Sequence, residues 1–150
     1  MLWDGQTADI IDGVVYSVGG TVGGDVQGGN PRQGAIVGNV MSVEKLTPTG
    51  RELHSSITFP ADIEDGMLAN VRGQPVVTAI DLNNRSRLYY HVGLTGTATE
   101  YVDLPYAETY RYREVRDIGQ NKLAIAYRGN VGGTSNVLVV GHISDSILAP

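Results

Sequence analysis

Tyrosine and arginine alternate in a segment of the second half of the chain, which reads ETYRYREVR over residues 108–116. Both residue types are enriched at protein interfaces, because each combines a broad contact area with a polar tip. If the segment is a strand, its tyrosines share one face and its arginines share the other. The pattern equally allows half-buried core tyrosines, with arginines that only solvate the outer face. The interface candidates are Trp3, Tyr106, Tyr110, Arg111, Tyr112, Arg113 and Arg116.

A second group of polar and aromatic residues surrounds a turn signal at Asn83-Asn84. Tyrosine rings offer an apolar face with a polar tip, and amide and carboxylate groups can bind hydroxyl groups. This combination favours a glycan-binding, lectin-like site as the alternative to a protein interface. The residues of that alternative ligand-binding site are Asp81, Asn83, Asn84, Tyr89 and Tyr90.

Residues that could catalyse a reaction or bind a metal are scattered. The sequence contains no nucleophile elbow, P-loop, zincin or EF-hand motif. The three histidines, His54, His91 and His142, lie far apart along the chain. The acidic group Asp62–Asp65 lacks the remaining ligands of a calcium loop, so a solvated loop is the favoured interpretation. We therefore predict no catalytic residue, no metal site and no cofactor.

The overall charge limits the classes of partner. The chain of 150 residues has a formal charge of −5 and no cysteine. An acidic chain lacks the basic face that nucleic-acid recognition requires, so we expect no nucleic-acid partner. No apolar run approaches the roughly 20 residues that span a bilayer, so we expect no membrane partner. The N-terminus, Met1–Asp4, lacks the basic and apolar regions of a signal peptide, and the localisation stays open.

Short strand patterns separated by turn signals cover most of the chain. The predicted turns lie at residues 12–13, 47–50, 83–84 and 128–135. Each of them separates two runs rich in β-branched or alternating apolar residues, as in β-hairpins. We count eight to ten short strands and no convincing amphipathic helix. The sequence therefore predicts a single all-β domain over residues 1–150, built as an antiparallel sandwich, jelly roll or barrel.

Four segments are predicted to lie outside the strands. The stretch 19–34 contains seven glycines and is predicted to be a long exposed loop and a candidate contact surface. Met1–Gln6 and Ile147–Pro150 are apolar enough to pack on a neighbouring subunit, and an uncovered Trp3 would be unusual. Residues 61–70 are predicted to form one helical turn or a loop.

Residues 12–20 (DGVVYSVGG) and 42–50 (SVEKLTPTG) together resemble a blade of the kelch propeller family. Such blades run from a strand that ends in a glycine pair to a Val-Glu strand and a turn. Leu53 takes the place of the closing Trp of the blade. The pattern also does not recur at the period of about 50 residues that a kelch propeller has. We interpret the resemblance as shared hairpin chemistry.

These features favour a structural protein over an enzyme. Glycine-rich loops, and nine arginines against two lysines, suit a subunit that acts through protein–protein contacts. By analogy at the level of fold class, tailed bacteriophages use such small β proteins as capsid-decorating, tail or fibre parts. We expect a non-enzymatic virion component that forms a homo-oligomer and binds subunits of the same or a larger assembly. A glycan-binding β module is the alternative, and an enzyme ranks third.

Overall fold

The computed structural model describes residues 6–19, 26–27, 30–31 and 36–148, and most of them lie in strands. The strands are β1 Gln6–Ile11, β2 Val14–Gly19, β3 Val26–Gln27, β4 Asn30–Pro31, β5 Ile36–Val37, β6 Val40–Thr47, β7 Gly50–Thr58, β8 Ile63–Val71, β9 Gln74–Asp81, β10 Asn84–Val92, β11 Gly96–Thr97, β12 Glu100–Asp103, β13 Glu108–Gly119, β14 Lys122–Val131 and β15 Thr134–Ser144. A short 3-10 turn, Asp145–Ile147, follows β15. The predicted all-β class is confirmed.

The predicted hairpins are present, and two of their turns have the expected positive φ angles. Asp12 and Gly13, between β1 and β2, have φ angles of 50° and 77°. Two successive positive φ angles match the right-handed twist of the flanking strands. Gly132 and Gly133, between β14 and β15, also have positive φ angles. The turn predicted at 47–50 joins β6 to β7, and the turn predicted at 83–84 joins β9 to β10.

The strands form three main sheets. The largest has the order β1-β2-β6-β7-β11, with β5 also paired to β6. A four-stranded sheet has the order β12-β10-β9-β8, and a three-stranded sheet has the order β13-β14-β15. β3 and β4 form a separate pair. Apart from the short parallel contact of β11 with β7, the described pairs are antiparallel, as expected for consecutive hairpins.

The four-stranded sheet has a hydrophobic core on each face. Along β9, Val77 and Ala79 belong to the first core, whereas Val76 and Ile80 belong to the second. Residues 76–81 are therefore all buried, which explains their nearly unbroken apolar sequence. The first core adds Val18, Met41, Val43 and Ile57 of the largest sheet, and the second adds Leu123, Ile125, Val139 and Ile143 of the three-stranded sheet.

The prediction of a helical turn or loop over residues 61–70 is wrong, because most of this segment is strand β8. The register of β8 with β9 shifts between Glu64 and Met67, and Asp65 has a φ angle of 53°. The strand therefore contains a β-bulge. The Glu-Asp-Gly sequence at the bulge is typical of a turn, so the sequence pattern does not indicate the strand residues on either side of it.

Gly66 allows β8 to approach the largest sheet closely. A Cβ atom at this position would overlap the carbonyl oxygen of Gly19 and the terminal methyl group of Met41. The backbone oxygen cannot move without disturbing β2, so a larger residue would push the two sheets apart. The bulge and its glycine thus set the spacing at the first core.

The described residues form fifteen strands, more than the predicted eight to ten, partly because four of them are only two residues long. Such short strands are indistinguishable from turns in a sequence. Most of the predicted loop 19–34 lies outside the described residues, as do Trp3 and the last two residues of the chain, Ala149 and Pro150. In the part of the chain that the structure describes, no helix is long and apolar enough to cross a membrane.

Candidate functional site

The tyrosine–arginine segment lies in β13, the first strand of the three-stranded sheet. The register of β13 with β14 shifts between Glu108 and Arg113. Over this stretch, five steps along β13 correspond to only two along β14, so β13 contains an irregular bulge of three extra residues. The bulge contains Tyr110, Arg111 and Tyr112, whose side chains are outside the described part of the molecule.

Arg113 is a buried arginine that connects three strands. Its Nη1 donates to Oε2 of Glu108 at 2.6 Å, and its Nε donates to Oγ1 of Thr78 at 2.8 Å. Its Nη2 donates to the backbone carbonyl of Asp65. The side chains of Arg113 and Glu108 are both fully buried. Arg113 is therefore not at the surface, which corrects its place among the interface candidates and the expectation that it solvates an outer face.

Arg85 of β10 joins the same cluster from its more open side. Its Nη2 lies 2.6 Å from Oδ2 of Asp65, and its Nη1 contacts the Glu64 carboxylate. Its Nε donates to the backbone carbonyl of Glu108 at 2.6 Å. Two of the acidic residues considered as calcium ligands, Glu64 and Asp65, are therefore ion-pair partners of an arginine within a strand. The expectation of a solvated loop at this position is wrong.

Glu108 is the least satisfied member of this buried cluster. Its Oε1 has no hydrogen-bond partner in the described residues, and it lies 3.8 Å from Nη2 of Arg85. Burial raises the pKa of the Glu108 carboxyl above its ordinary value of 4.5, although Arg113 and Arg85 act in the opposite direction. The nearby Asp65 carboxylate raises it further. The cluster thus fixes β13 against its neighbours at some electrostatic cost.

Two other interface candidates have exposed side chains. Tyr106, just before β13, is exposed, while its backbone is held by Tyr127. The Tyr127 hydroxyl donates to the carbonyl oxygen of Tyr106 at 2.8 Å. Arg116 is exposed on β13 and contacts the Glu114 carboxylate at 3.1 Å. Both remain candidates for a contact with another protein.

The outer face of the three-stranded sheet exposes apolar side chains that sequence analysis did not single out. Along β15, Val139 faces the second core, whereas Leu138 and Val140 are 65% and 55% exposed. The sequence predicts a strand here. However, the continuous apolar run over residues 137–140 does not show which side chains face solvent.

β15 is also an edge strand. In the described part of the chain it pairs only with β14. It is eleven residues long, and Thr134–Ser144 contains no Asp, Glu, Lys, Arg or Pro. Natural proteins usually protect edge strands with charges, prolines, bulges or short length. β15 has a bulge between Thr134 and Val137, but from Val137 to Ser144 it is regular and has no charged residue or proline. We call Thr134–Ser144, with its exposed Leu138 and Val140, the β15 edge.

The structure brings together three residues of the alternative ligand-binding site. The Tyr89 hydroxyl donates to Oδ2 of Asp81 at 2.9 Å, and the backbone N–H of Asn83 donates to Oδ1 at 2.8 Å. Tyr89 and Asp81 are buried, so they brace the β9–β10 hairpin and do not face a ligand. Asn84 is exposed, and its side-chain oxygen accepts from the backbone N–H of Ser86.

Tyr90, the fifth residue of that group, faces the opposite side of β10. It lines a groove of about 530 Å³ between β10, the start of β12 and the residues that follow β15. Thr99, Glu100, Ser144 and Ser146 also line this groove. An aromatic ring among hydroxyl groups and a carboxylate is a more accessible setting for a sugar than the buried Asp81–Tyr89 pair.

The three histidines have separate surroundings. The His54 ring packs edge-on against Tyr16, and Nε2 of His91 lies 2.7 Å from the carbonyl oxygen of Thr95. His142 is exposed on β15. Among the described residues, no group of three or more potential ligand side chains is arranged to hold a metal ion.

Comparison with known proteins assigns no family to this chain. No protein-family model matches the sequence. No curated protein matches it significantly. In the structure, the two segments that resemble a kelch blade contribute β2 and β6 to the largest sheet, where these strands pair with each other.

Proposed function

We propose that this chain is a non-enzymatic structural subunit that acts through protein–protein contacts in a larger assembly. The observation that supports this most directly is the β15 edge, which is long, uncharged and carries exposed Leu138 and Val140. Addition of a strand from another chain uses this combination of backbone groups and apolar side chains. An uncovered edge of this kind promotes aggregation, so we expect another chain to cover it in the assembly.

The remaining surface candidates extend this contact region. Arg116 and the exposed Ile118 lie on β13 of the same sheet, and Tyr106 lies just before it. The buried Arg113–Glu108 ion pair holds β13 in place against the four-stranded sheet. A surface that is already ordered loses less entropy on binding, which favours a stable contact.

We place the assembly in a virus particle, with the chain as a phage capsid-decorating, tail or fibre protein. This part of the proposal is supported by analogy with the small all-β proteins that form such particles. Glycan binding remains the second candidate. It is favoured by the groove beside Tyr90, which combines an aromatic ring with several hydroxyl groups.

The native mass, measured by size-exclusion chromatography with light scattering, tests the structural role. We expect the wild-type chain to form a multimer. Val140→Lys should convert it to a monomer, because an ammonium group would be buried without a partner in the contact. Val37→Lys is the matched control, because Val37 is 68% exposed but belongs to the largest sheet.

A wild-type chain that stays monomeric at every concentration would contradict self-assembly. Equal dissociation by both lysine variants would show that the effect is not specific to the β15 edge. Binding of the monomer to sugars on a glycan array would favour the second candidate.

A further inference from the structure

We infer that the partner at the β15 edge is a second copy of this chain, paired antiparallel through β15 about a two-fold axis. This inference rests on the proposed function and names the partner and its geometry. The pairing would join two three-stranded sheets into one continuous six-stranded sheet. Its order across the dimer would be β13-β14-β15-β15-β14-β13.

One register of this pairing brings the exposed apolar side chains of β15 together. β15 is regular from Val137 to Ser144, and two copies centred on Val139 pair over Val137–Gly141, with Val139 opposite itself. Leu138 then lies directly opposite Val140 of the second copy. Two-fold symmetry repeats this contact, and directly opposite residues share a face of the sheet. The two exposed apolar side chains of β15 therefore cover each other in both halves of the dimer.

Charge does not oppose this arrangement. β15 has no acidic residue, lysine or arginine, so no like charges would lie opposite each other. On β14, Arg128 is the register partner of Leu138. The two Arg128 residues of the dimer would be separated by three strand spacings, about 14 Å. That distance exceeds the screening length of about 8 Å at physiological salt.

The other sheet edges are less suited to self-pairing. Asp9 lies on β1, Glu64 on β8, Glu100 on β12 and Arg116 on β13. β1 is also covered in part by Asn70 of β8, whose Nδ2 donates to the carbonyl oxygen of Ile10 at 2.7 Å. Among the described edge strands longer than two residues, only β15 is without charged residues, which singles it out for contact with another copy.

Two single-cysteine variants test the register, because the native chain has no cysteine. Leu138→Cys and Val140→Cys place a thiol on each side of the inferred contact. When the two variants are co-expressed, the thiol of one copy lies directly opposite the thiol of the other. Their Cα atoms are then about 5 Å apart, within the range that a disulfide spans. In either variant alone, the two thiols are two residues out of register, with Cα atoms about 8 Å apart, too far to be bridged.

We expect oxidation to give covalent dimers in the mixture but not in either variant alone. Val37→Cys, at an exposed site on the largest sheet, measures cross-linking by random collision. Equal cross-linking of the mixture and the single variants, or none above the Val37→Cys level, overturns the inferred pairing. A wild-type multimer without this cross-link leaves the proposed function standing, with a different contact surface. A wild-type monomer overturns the inferred pairing together with the self-assembly expected of the proposed function.

Discussion

Arg113 and Glu108 lie five residues apart on β13, yet their side chains meet in one buried cluster, with Nη1 2.6 Å from Oε2. In a regular strand, residues five apart face opposite sides of the sheet. The bulge between them, where five steps on β13 match two on β14, changes this alternation. The ion pair and the bulge therefore depend on each other, and the pair ties the irregular part of β13 to β8 and β9.

Replacing Arg113 should strongly destabilise the fold. Arg113→Ala leaves the buried Glu108 carboxylate and the Thr78 hydroxyl without their guanidinium donor. Removing one member of a buried ion pair typically costs about 3–5 kcal/mol of unfolding free energy. Urea denaturation measures this loss. Arg116→Ala is the control, since its exposed pair with Glu114 should contribute less than about 1 kcal/mol. Similar small losses for both variants would mean that the Arg113 cluster does not hold β13.

The raised pKa of Glu108 predicts a pH dependence of stability. As pH rises, the Glu108 carboxyl of the unfolded state loses its proton around the ordinary pKa of 4.5, whereas the folded state keeps this proton to higher pH. The stability that the protonated carboxyl contributes is therefore lost as pH rises through the folded-state pKa. Glu108→Gln cannot ionise, so its unfolding free energy relative to the wild type should increase from about pH 4 to about pH 8. A relative stability that falls over this interval would show that Arg113 lowers the pKa more than burial raises it.

Gly66 should tolerate no side chain. Gly66→Ala forces the new methyl group against the backbone of Gly19 and the side chain of Met41. Overpacking of this kind costs about 1–3 kcal/mol. Gly141→Ala is the matched control, because no atom lies within 4 Å of the added Cβ. Thermal denaturation of both variants at the same protein concentration would show the difference. Equal melting temperatures would mean that the two sheets separate easily at the bulge.

The hairpins were predictable from sequence because their signals are local. Asp12-Gly13 and Gly132-Gly133 can adopt positive φ angles, and each lies between two β-forming runs. β8 was not predictable, because its bulge at Asp65 and Gly66 has the composition of a turn. Arg85, twenty residues further along the chain, pairs with the acidic group of this bulge, and no local pattern reveals that contact.

The candidate site was only partly predictable for a similar reason. The alternation in the tyrosine–arginine segment is compatible with the strand that the structure has there, but the burial of Arg113 depends on Thr78 and Asp65, which come from two other strands. The exposure of Leu138 depends on the order of strands in the sheet. A run of apolar residues gives the same sequence signal at the centre of a sheet and at its edge.

The position of β9 between the two cores has a consequence for how the molecule unfolds. Val76 and Val77 are adjacent in sequence, but each is anchored in a different core. Detaching either outer sheet would expose one side of this strand to water. Loss of one core therefore weakens the other, and the two layers should melt in a single cooperative transition. Neighbouring residues of one strand thus couple the two sides of the molecule.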